Sequence, residues 1–279
     1  MKIRPALALS AAVLAVGALA ACAPTATTPA TTASSTATAS PSPSATASAD
    51  WSYKGANGPD HWGAFGAACE NVDTSHESPV AIDTATLKPG TPQQKVVPHY
   101  TAATFEIENN GHTVEAIPDD PKANSVEVDG KTYYLQQFHL HASSEHTIDG
   151  QSAPAELHLV HKADDGAMLV LGVMLQSGAA DQALAEFFSS IPTEVKDEGE
   201  PLTQAIDPTA LVPADGMIVQ YDGSLTTPPC TEGVRWNVYL NPVTVSPEQL
   251  AAFTGVYPDN HRPVQPLHDR TLTEVGATS

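Results

Sequence analysis

Between residues 104 and 240 the apolar side chains fall into short strand-like runs separated by turn residues. The runs are Thr104–Glu108, His112–Ile117, Ser125–Val128, Tyr133–His141, Ala155–His161, Met168–Leu175, Met217–Tyr221 and Val234–Leu240. They are rich in Val, Ile, Tyr and Phe and are bounded by Asn-Gly, Asp-Gly and Pro, the signature of strands ending in turns. Asp129-Gly130 and Asp165-Gly166 predict tight turns between antiparallel strands. Helical spacing over Ala179–Ser189, and the capped start Ser246-Pro247-Glu248-Gln249 of a segment ending at Phe253, predict two short helices. There is no internal repeat. A mainly β, sheet-centred fold with short peripheral helices follows, with the strand order left open.

The N-terminus has a different pattern. Lys2 and Arg4 precede an uncharged apolar run from Ala6 to Ala18. That run is short of the roughly 20 residues of a membrane span and has the layout of a secretory signal. It ends in Leu19-Ala20-Ala21-Cys22, which resembles the lipobox of bacterial lipoproteins. The resemblance implies removal of residues 1–21 and a lipid on Cys22. The alternative is an ordinary signal cut near Ala21 or Ala23, leaving a free thiol. Ala23 to Ala49 is almost entirely Ala, Thr, Ser and Pro. With no apolar periodicity it forms no core, and residues 22–49 read as a tether spanning about 30 Å. The composition changes at Asp50-Trp51, so residues 50–279 are expected to hold the folded domain, with globular character running to about Arg270. The chain is expected to be exported, to the cell surface or the periplasmic side of a membrane, its only membrane contact being the lipid.

The chain has 279 residues, a length that suits one large domain plus appendages. Its formal net charge of -20 repels phosphate backbones and argues against nucleic-acid binding. The plain reading of that charge is solubility. Of the three cysteines, Cys22, Cys69 and Cys230, the first closes the signal segment and accounts for the odd count.

Histidine spacing is the strongest chemical signal. In Gln137-Phe138-His139-Leu140-His141 the two histidines share one face of a strand, and Phe138 and Leu140 share the other. A second run, Glu156-Leu157-His158-Leu159-Val160-His161, brings a third imidazole if the two strands are neighbours. Three histidines without a fourth protein ligand make a zinc site open to solvent, the catalytic kind. The competing reading of His-x-His is a hydrogen-bonded pair on a polar sheet face. Glu156 beside His158 and Gln137 beside His139 favour the metal, because ligating imidazoles usually donate their outer N–H to such partners. His161 falls on the opposite face, a structural position.

These residues, taken in order with others, resemble the alpha-class carbonic anhydrases. The matching segments are Trp51-Ser52-Tyr53, Asn57-Gly58-Pro59 with Trp62, Ser78-Pro79, Asn109-Asn110-Gly111-His112, Gln137–His141, Ser144-Glu145-His146, Glu156–Val160, Gly223–Cys230 with Trp236, and Asn260–Leu267. The resemblance implies a large, mostly antiparallel twisted sheet with a conical cleft, and reversible hydration of carbon dioxide to bicarbonate by zinc hydroxide. It assigns zinc to His139, His141 and His158, with Gln137, Glu156 and the Asn260 carbonyl behind them. Glu145 and Thr226 become a hydrogen-bonded pair over the zinc-bound solvent. His112 becomes the proton shuttle, and Tyr53 and Asn110 order the water between. Val160, Val170, Leu225, Thr227, Val234 and Trp236 become the substrate pocket. Cys69 and Cys230 match a disulfide of exported members. Sulfonamide and anion inhibitors are expected ligands.

Three positions depart from the family pattern. Glu77 stands where Gln is usual, Ala142 where a bulkier residue or proline is common, and Glu115 puts a carboxylate on the cleft face. Two rival functions fit the sequence less well. A catalytically silent binding or adhesion domain of this family typically lacks a zinc histidine, and all three are kept here. A zinc hydrolase of another class would show His-Glu-x-x-His or a nucleophile elbow, and neither is present.

Overall fold

The computed structural model describes residues 50–70, 72–91, 94–196 and 198–276. The expected signal segment, Cys22 and the tether lie outside the described residues. Strands β1 to β7 are Ala81–Ile82, Lys88–Pro89, Val97–His99, Phe105–Asn109, Val114–Pro118, Ser125–Val128 and Lys131–His141. Strands β8 to β14 are Thr147–Ile148, Ala155–Lys162, Met168–Ser177, Glu200–Pro201, Met217–Ser224, Glu232–Val245 and Thr273–Gly276. Helices α1 and α2 are Ala185–Ser189 and Pro247–Thr254.

Among the described residues, twelve strands form one mixed sheet with the path β11-β4-β5-β7-β9-β10-β13-β12-β14-β2, and β6 bridges β3 and β7. Its pairings are antiparallel except β10 with β13 and β14 with β2. The parallel β10–β13 pair needs a long crossover, and α1, β11 and β12 lie in it. The two-residue turn Asp129-Gly130 joins β6 to β7 with both residues at positive φ, 53° and 72°. That is the hairpin conformation which Asp-Gly favours. The Asp165-Gly166 turn joins β9 to β10 through a wider loop.

β7 and β9 hold the middle of the sheet and carry the histidines. Every residue of β9 except Lys162 is buried, because both faces of the sheet are covered there. Phe138, Leu140, Leu157 and Leu159 face the main core with Phe105 and Phe187. A smaller apolar cluster on the other face contains Val160, Val170, Val234 and Trp236. A third cluster holds Trp62 against the Cys69–Cys230 disulfide, with Trp51 and Tyr53 packed on it. That bond spans 161 residues of sequence. Closing so long a loop removes about 5 kcal/mol of unfolded-chain entropy in the loop-closure treatment.

Three expectations are corrected. The first helix begins at Ala185 rather than Ala179, because the Asp181 carboxylate takes the N–H groups of Ala183 and Leu184 into a turn of its own. Globular structure does not stop near Arg270, since β14 pairs with β12. His112 precedes β5 instead of opening it: Gly111 sits at φ +88°, and the Asn110 side chain binds the N–H groups of His112 and Thr113. The second helix starts as expected, with the reciprocal Ser246–Gln249 capping box formed.

Candidate metal centre

Antiparallel pairing of β7 with β9 sets His139 directly opposite His158, and His141 opposite Glu156. The three imidazoles of His139, His141 and His158 converge, with one nitrogen from each within 4.8 Å of the others. Hydrogen bonding at the outer edge fixes which nitrogen faces inward. His139 Nδ1–H donates to Gln137 Oε1 at 2.7 Å, so Nε2 faces inward. His141 Nδ1–H donates to the Asn260 carbonyl at 2.7 Å, again leaving Nε2. His158 Nε2–H donates to Glu156 Oε1 at 3.0 Å, leaving Nδ1. All three rings have pKa values lowered chiefly by burial, His141 to about 4. They are neutral at pH 7, the state in which an imidazole binds a metal. A donor set of three neutral nitrogens with locked outer edges fits zinc.

Glu156 is the hub behind this cluster. Its Oε2 accepts from the N–H groups of Glu145 and His146, both at 2.9 Å, and its Oε1 accepts from His146 Nδ1 at 2.7 Å as well as from His158. Burial alone would raise its pKa, but the two histidines hold it well below the usual carboxylate range. Gly172 of β10, opposite His158, makes room for it: a Cβ there would meet Glu156 Oε1 at 2.9 Å. His146, Glu156 and His158 also lie within ligand distance of one another. Their hydrogen bonds are already formed among themselves and to the Tyr221 hydroxyl, 2.6 Å from His146 Nε2, so this second group is structural.

Glu145 is fully buried beside the cluster. Its Oε1 accepts the Arg262 N–H at 2.8 Å, and its Oε2 stands 4.0 Å from His158 Nδ1 with no hydrogen bond of standard geometry. Burial raises its pKa, opposed by His158, by the Arg262 N–H and by the Thr226 hydroxyl.

A cavity of about 290 Å³ opens over the histidines. Its lining combines an apolar cluster of Val160, Met168, Val170, Leu225 and Trp236 with the polar residues Tyr53, Asn110, His112, Glu115, Gln137 and Thr227. Thr226 also lines it. Val234, expected on the apolar wall, is 1% exposed and packs behind it. The His112 ring stacks on Trp51 with centroids 3.6 Å apart and planes at 10°. Burial lowers its pKa, with Asp50 opposing. Asn110, expected to order water, is engaged with the protein: Oδ1 binds the His112 and Thr113 N–H groups and Nδ2 donates to Glu115 Oε1 at 2.6 Å. Burial, then repulsion from Glu108, raises Glu115 to about 7 against that hydrogen bond.

Neither spacing nor the family resemblance assigns a role to His146, Tyr221, Ser224 or Arg262, or to Trp51 as the partner of His112. The matching segments Trp51-Ser52-Tyr53, Ser144-Glu145-His146, Gly223–Cys230 and Asn260–Leu267 contain all of them except Tyr221, but not their contacts. Their roles depend on contacts between residues far apart in sequence.

Fold and site together define a mainly β protein with a three-histidine metal-binding centre at the foot of a half-apolar cleft. A family model for eukaryotic-type carbonic anhydrase matches residues 57–276. The chain is 40% identical to a carbonic anhydrase of Klebsiella pneumoniae over 231 residues, which is 81% of this chain and 92% of that one. It is 41% identical to one of Pectobacterium atrosepticum, covering 81% and 91%. Among solved structures, the alpha-carbonic anhydrase of Thermovibrio ammonificans in complex with the inhibitor sulfanilamide superposes with a TM-score of 0.75 at 40% identity, covering 81% of this chain and 99% of that one. The chain belongs to the alpha, or eukaryotic-type, carbonic anhydrase family.

Proposed function

We propose that this chain is a zinc-dependent carbonic anhydrase that interconverts carbon dioxide and bicarbonate outside the cytoplasm. The observation that carries this reading is the convergence of His139 Nε2, His141 Nε2 and His158 Nδ1, each with its outer nitrogen bound to a protein acceptor. When bound there, zinc supplies Lewis acidity that brings the pKa of coordinated water to about 7.

The surrounding residues have separable tasks. Val160, Val170, Leu225 and Trp236 give an uncharged, apolar substrate a dry place beside the histidines. Val234 supports that wall from behind. Thr226 donates its hydroxyl proton to Glu145 and so presents a lone pair toward the open metal position. It then accepts only from atoms that bear a proton, which sets the orientation of the nucleophile and selects among inhibitors. His112, which lines the cleft with its ring stacked on Trp51, takes the proton released by each hydration and passes it to buffer. Burial lowers its pKa from the ordinary imidazole value, so the ring is neutral at pH 7 and can accept that proton. Tyr53, Thr227 and the second Asn110 N–H line the path between. Sulfonamides and small anions would bind at the open metal position.

The N-terminal segments complete the proposal. Residues 1–21 direct export, Cys22 carries lipid, and residues 22–49 hold the 50–279 domain away from the membrane surface. The support is the run Leu19-Ala20-Ala21-Cys22 and the composition that follows it. The test of function is stopped-flow carbon dioxide hydration by the purified protein, before and after removal of metal with dipicolinate. Hydration lost with the metal and restored by zinc supports the reading. A metal-loaded protein that does not accelerate hydration refutes it.

A further inference from the structure

Glu77 is fully buried, far in sequence from the histidines, and none of the roles above uses it. Its Oε2 accepts from Arg262 Nη1 at 2.6 Å and, at 3.2 Å, from the Ser224 hydroxyl, whose one proton is shared with the Leu225 carbonyl at 2.8 Å; its Oε1 has no hydrogen-bond partner. Arg262 is 2% exposed and forms its ion pair with Glu77 alone among the described residues. Buried ion pairs of this kind add little to stability compared with apolar packing, so stability is a weak reason for this one. Direction is a better reason, because both partners of Glu77 lead to the same place.

Arg262 donates its main-chain N–H to Glu145 Oε1. Ser224 lies two residues before Thr226, and its hydroxyl also accepts the Ser78 N–H at 2.9 Å. Gly223, next to it, allows the close approach of the Ser78 segment: a Cβ there would meet Ser78 Oγ at 2.2 Å. One side chain thus ties down the segments that hold both Glu145 and Thr226. The metal ligands are anchored separately. Asn260, whose carbonyl orients His141, has its own side chain bound to the Ala142 N–H and to the His112 and Leu140 carbonyls. Loosening Arg262 therefore frees the donor to Glu145 while Asn260 stays in place.

We propose that Glu77 is a positioning residue for the Glu145–Thr226 pair, acting through Arg262 on one side and Ser224 on the other. The proposal rests on the roles given above to Thr226 and Glu145. Its consequence is selective: metal binding survives loss of Glu77, but discrimination by Thr226 does not. A bound primary sulfonamide anion keeps an N–H to donate to Thr226, whereas thiocyanate has no proton to give.

The test compares wild type with Glu77→Ala, Glu77→Gln and Glu77→Asp. Zinc content, affinities for a primary sulfonamide and for thiocyanate, and kcat/KM are measured for each. In Glu77→Ala the zinc content and thiocyanate affinity are expected to hold, while sulfonamide affinity and kcat/KM fall by about tenfold to a hundredfold, as for an ångström-scale misplacement. Glu77→Gln keeps an acceptor oxygen for Arg262 and Ser224 and should restore both to about wild-type values. An unchanged sulfonamide-to-thiocyanate ratio in Glu77→Ala, or equal loss of both affinities together with zinc, overturns the proposal. If Glu77→Ala does not fold, Glu77→Asp decides, since it withdraws the carboxylate by about 1.5 Å, one C–C bond. A lowered ratio there supports the proposal and an unchanged one overturns it. A zinc-loaded wild type that does not hydrate carbon dioxide overturns both this proposal and the reading beneath it. An active wild type with unaltered selectivity in the variants overturns this proposal alone.

Discussion

The Nε2 atoms of His139 and His141 lie 3.0 Å apart, with their Nδ1 atoms bound to Gln137 and Asn260. Two tetrahedral ligands about 2.0–2.1 Å from one ion would be separated by about 3.3 Å, so the pair is already spaced to share a metal. His139→Ala removes one corner while leaving the apolar face of β7 intact. The expected outcome is a folded protein that loses zinc on dialysis and has no measurable hydration above background. Circular dichroism and metal analysis check both halves.

His112 is held on Trp51 and has a lowered pKa, so its ring is neutral at pH 7 and ready to accept a proton. Replacing it with Ala should slow hydration roughly tenfold or more in weak buffer, within the range of general acid–base catalysis. Added imidazole should restore the rate. Equal rates in dilute and concentrated buffer, for wild type and variant alike, would remove His112 from the proton path.

Glu115 brings a carboxyl of pKa about 7 into the cleft. Below that pH it is mostly neutral; above it, a negative charge faces whatever enters. Thiocyanate inhibition should therefore weaken more steeply above pH 7 in wild type than in Glu115→Gln. Inhibition constants measured from pH 6 to pH 8.5 give the comparison.

His161 gives a prediction independent of the metal. It lies on the core face of β9, donating from Nδ1 to the Leu159 carbonyl at 2.9 Å and accepting at Nε2 from the Tyr100 hydroxyl at 2.7 Å. Burial lowers its pKa to about 3. Between that value and the unfolded value near 6.5, the unfolded chain binds the proton and the folded one does not. Stability then falls as pH falls through this window, by roughly 1.4 kcal/mol per pH unit for this one group. In metal-free protein His161→Gln should flatten the acid limb of the urea midpoint between pH 6 and pH 4.

The sheet could be read from the chain because strand periodicity and turn chemistry agree locally. β6 and its Asp129-Gly130 turn fall where the pattern puts them, and His139 and His141 share a face because side chains alternate along β7. The pairing of β7 with β9 was a condition in the sequence and became a fact only with the register His139↔His158. The first helix was overextended because Asp181 competes for backbone N–H groups, a local contact that apolar spacing does not show. The parallel β10–β13 pair is likewise invisible to periodicity, since alternation is the same in either direction. The ties from Glu77 to Arg262 and from Arg262 to Glu145 join residues 185 and 117 apart, beyond the reach of any local rule.

Diffraction from a crystal of the purified protein at the zinc absorption edge would locate the metal. A single strong anomalous peak is expected, roughly 2.0–2.1 Å from His139 Nε2, His141 Nε2 and His158 Nδ1, with a solvent molecule as the fourth neighbour. No peak in zinc-supplemented crystals, or a protein atom in the fourth position, would contradict a catalytic zinc site there.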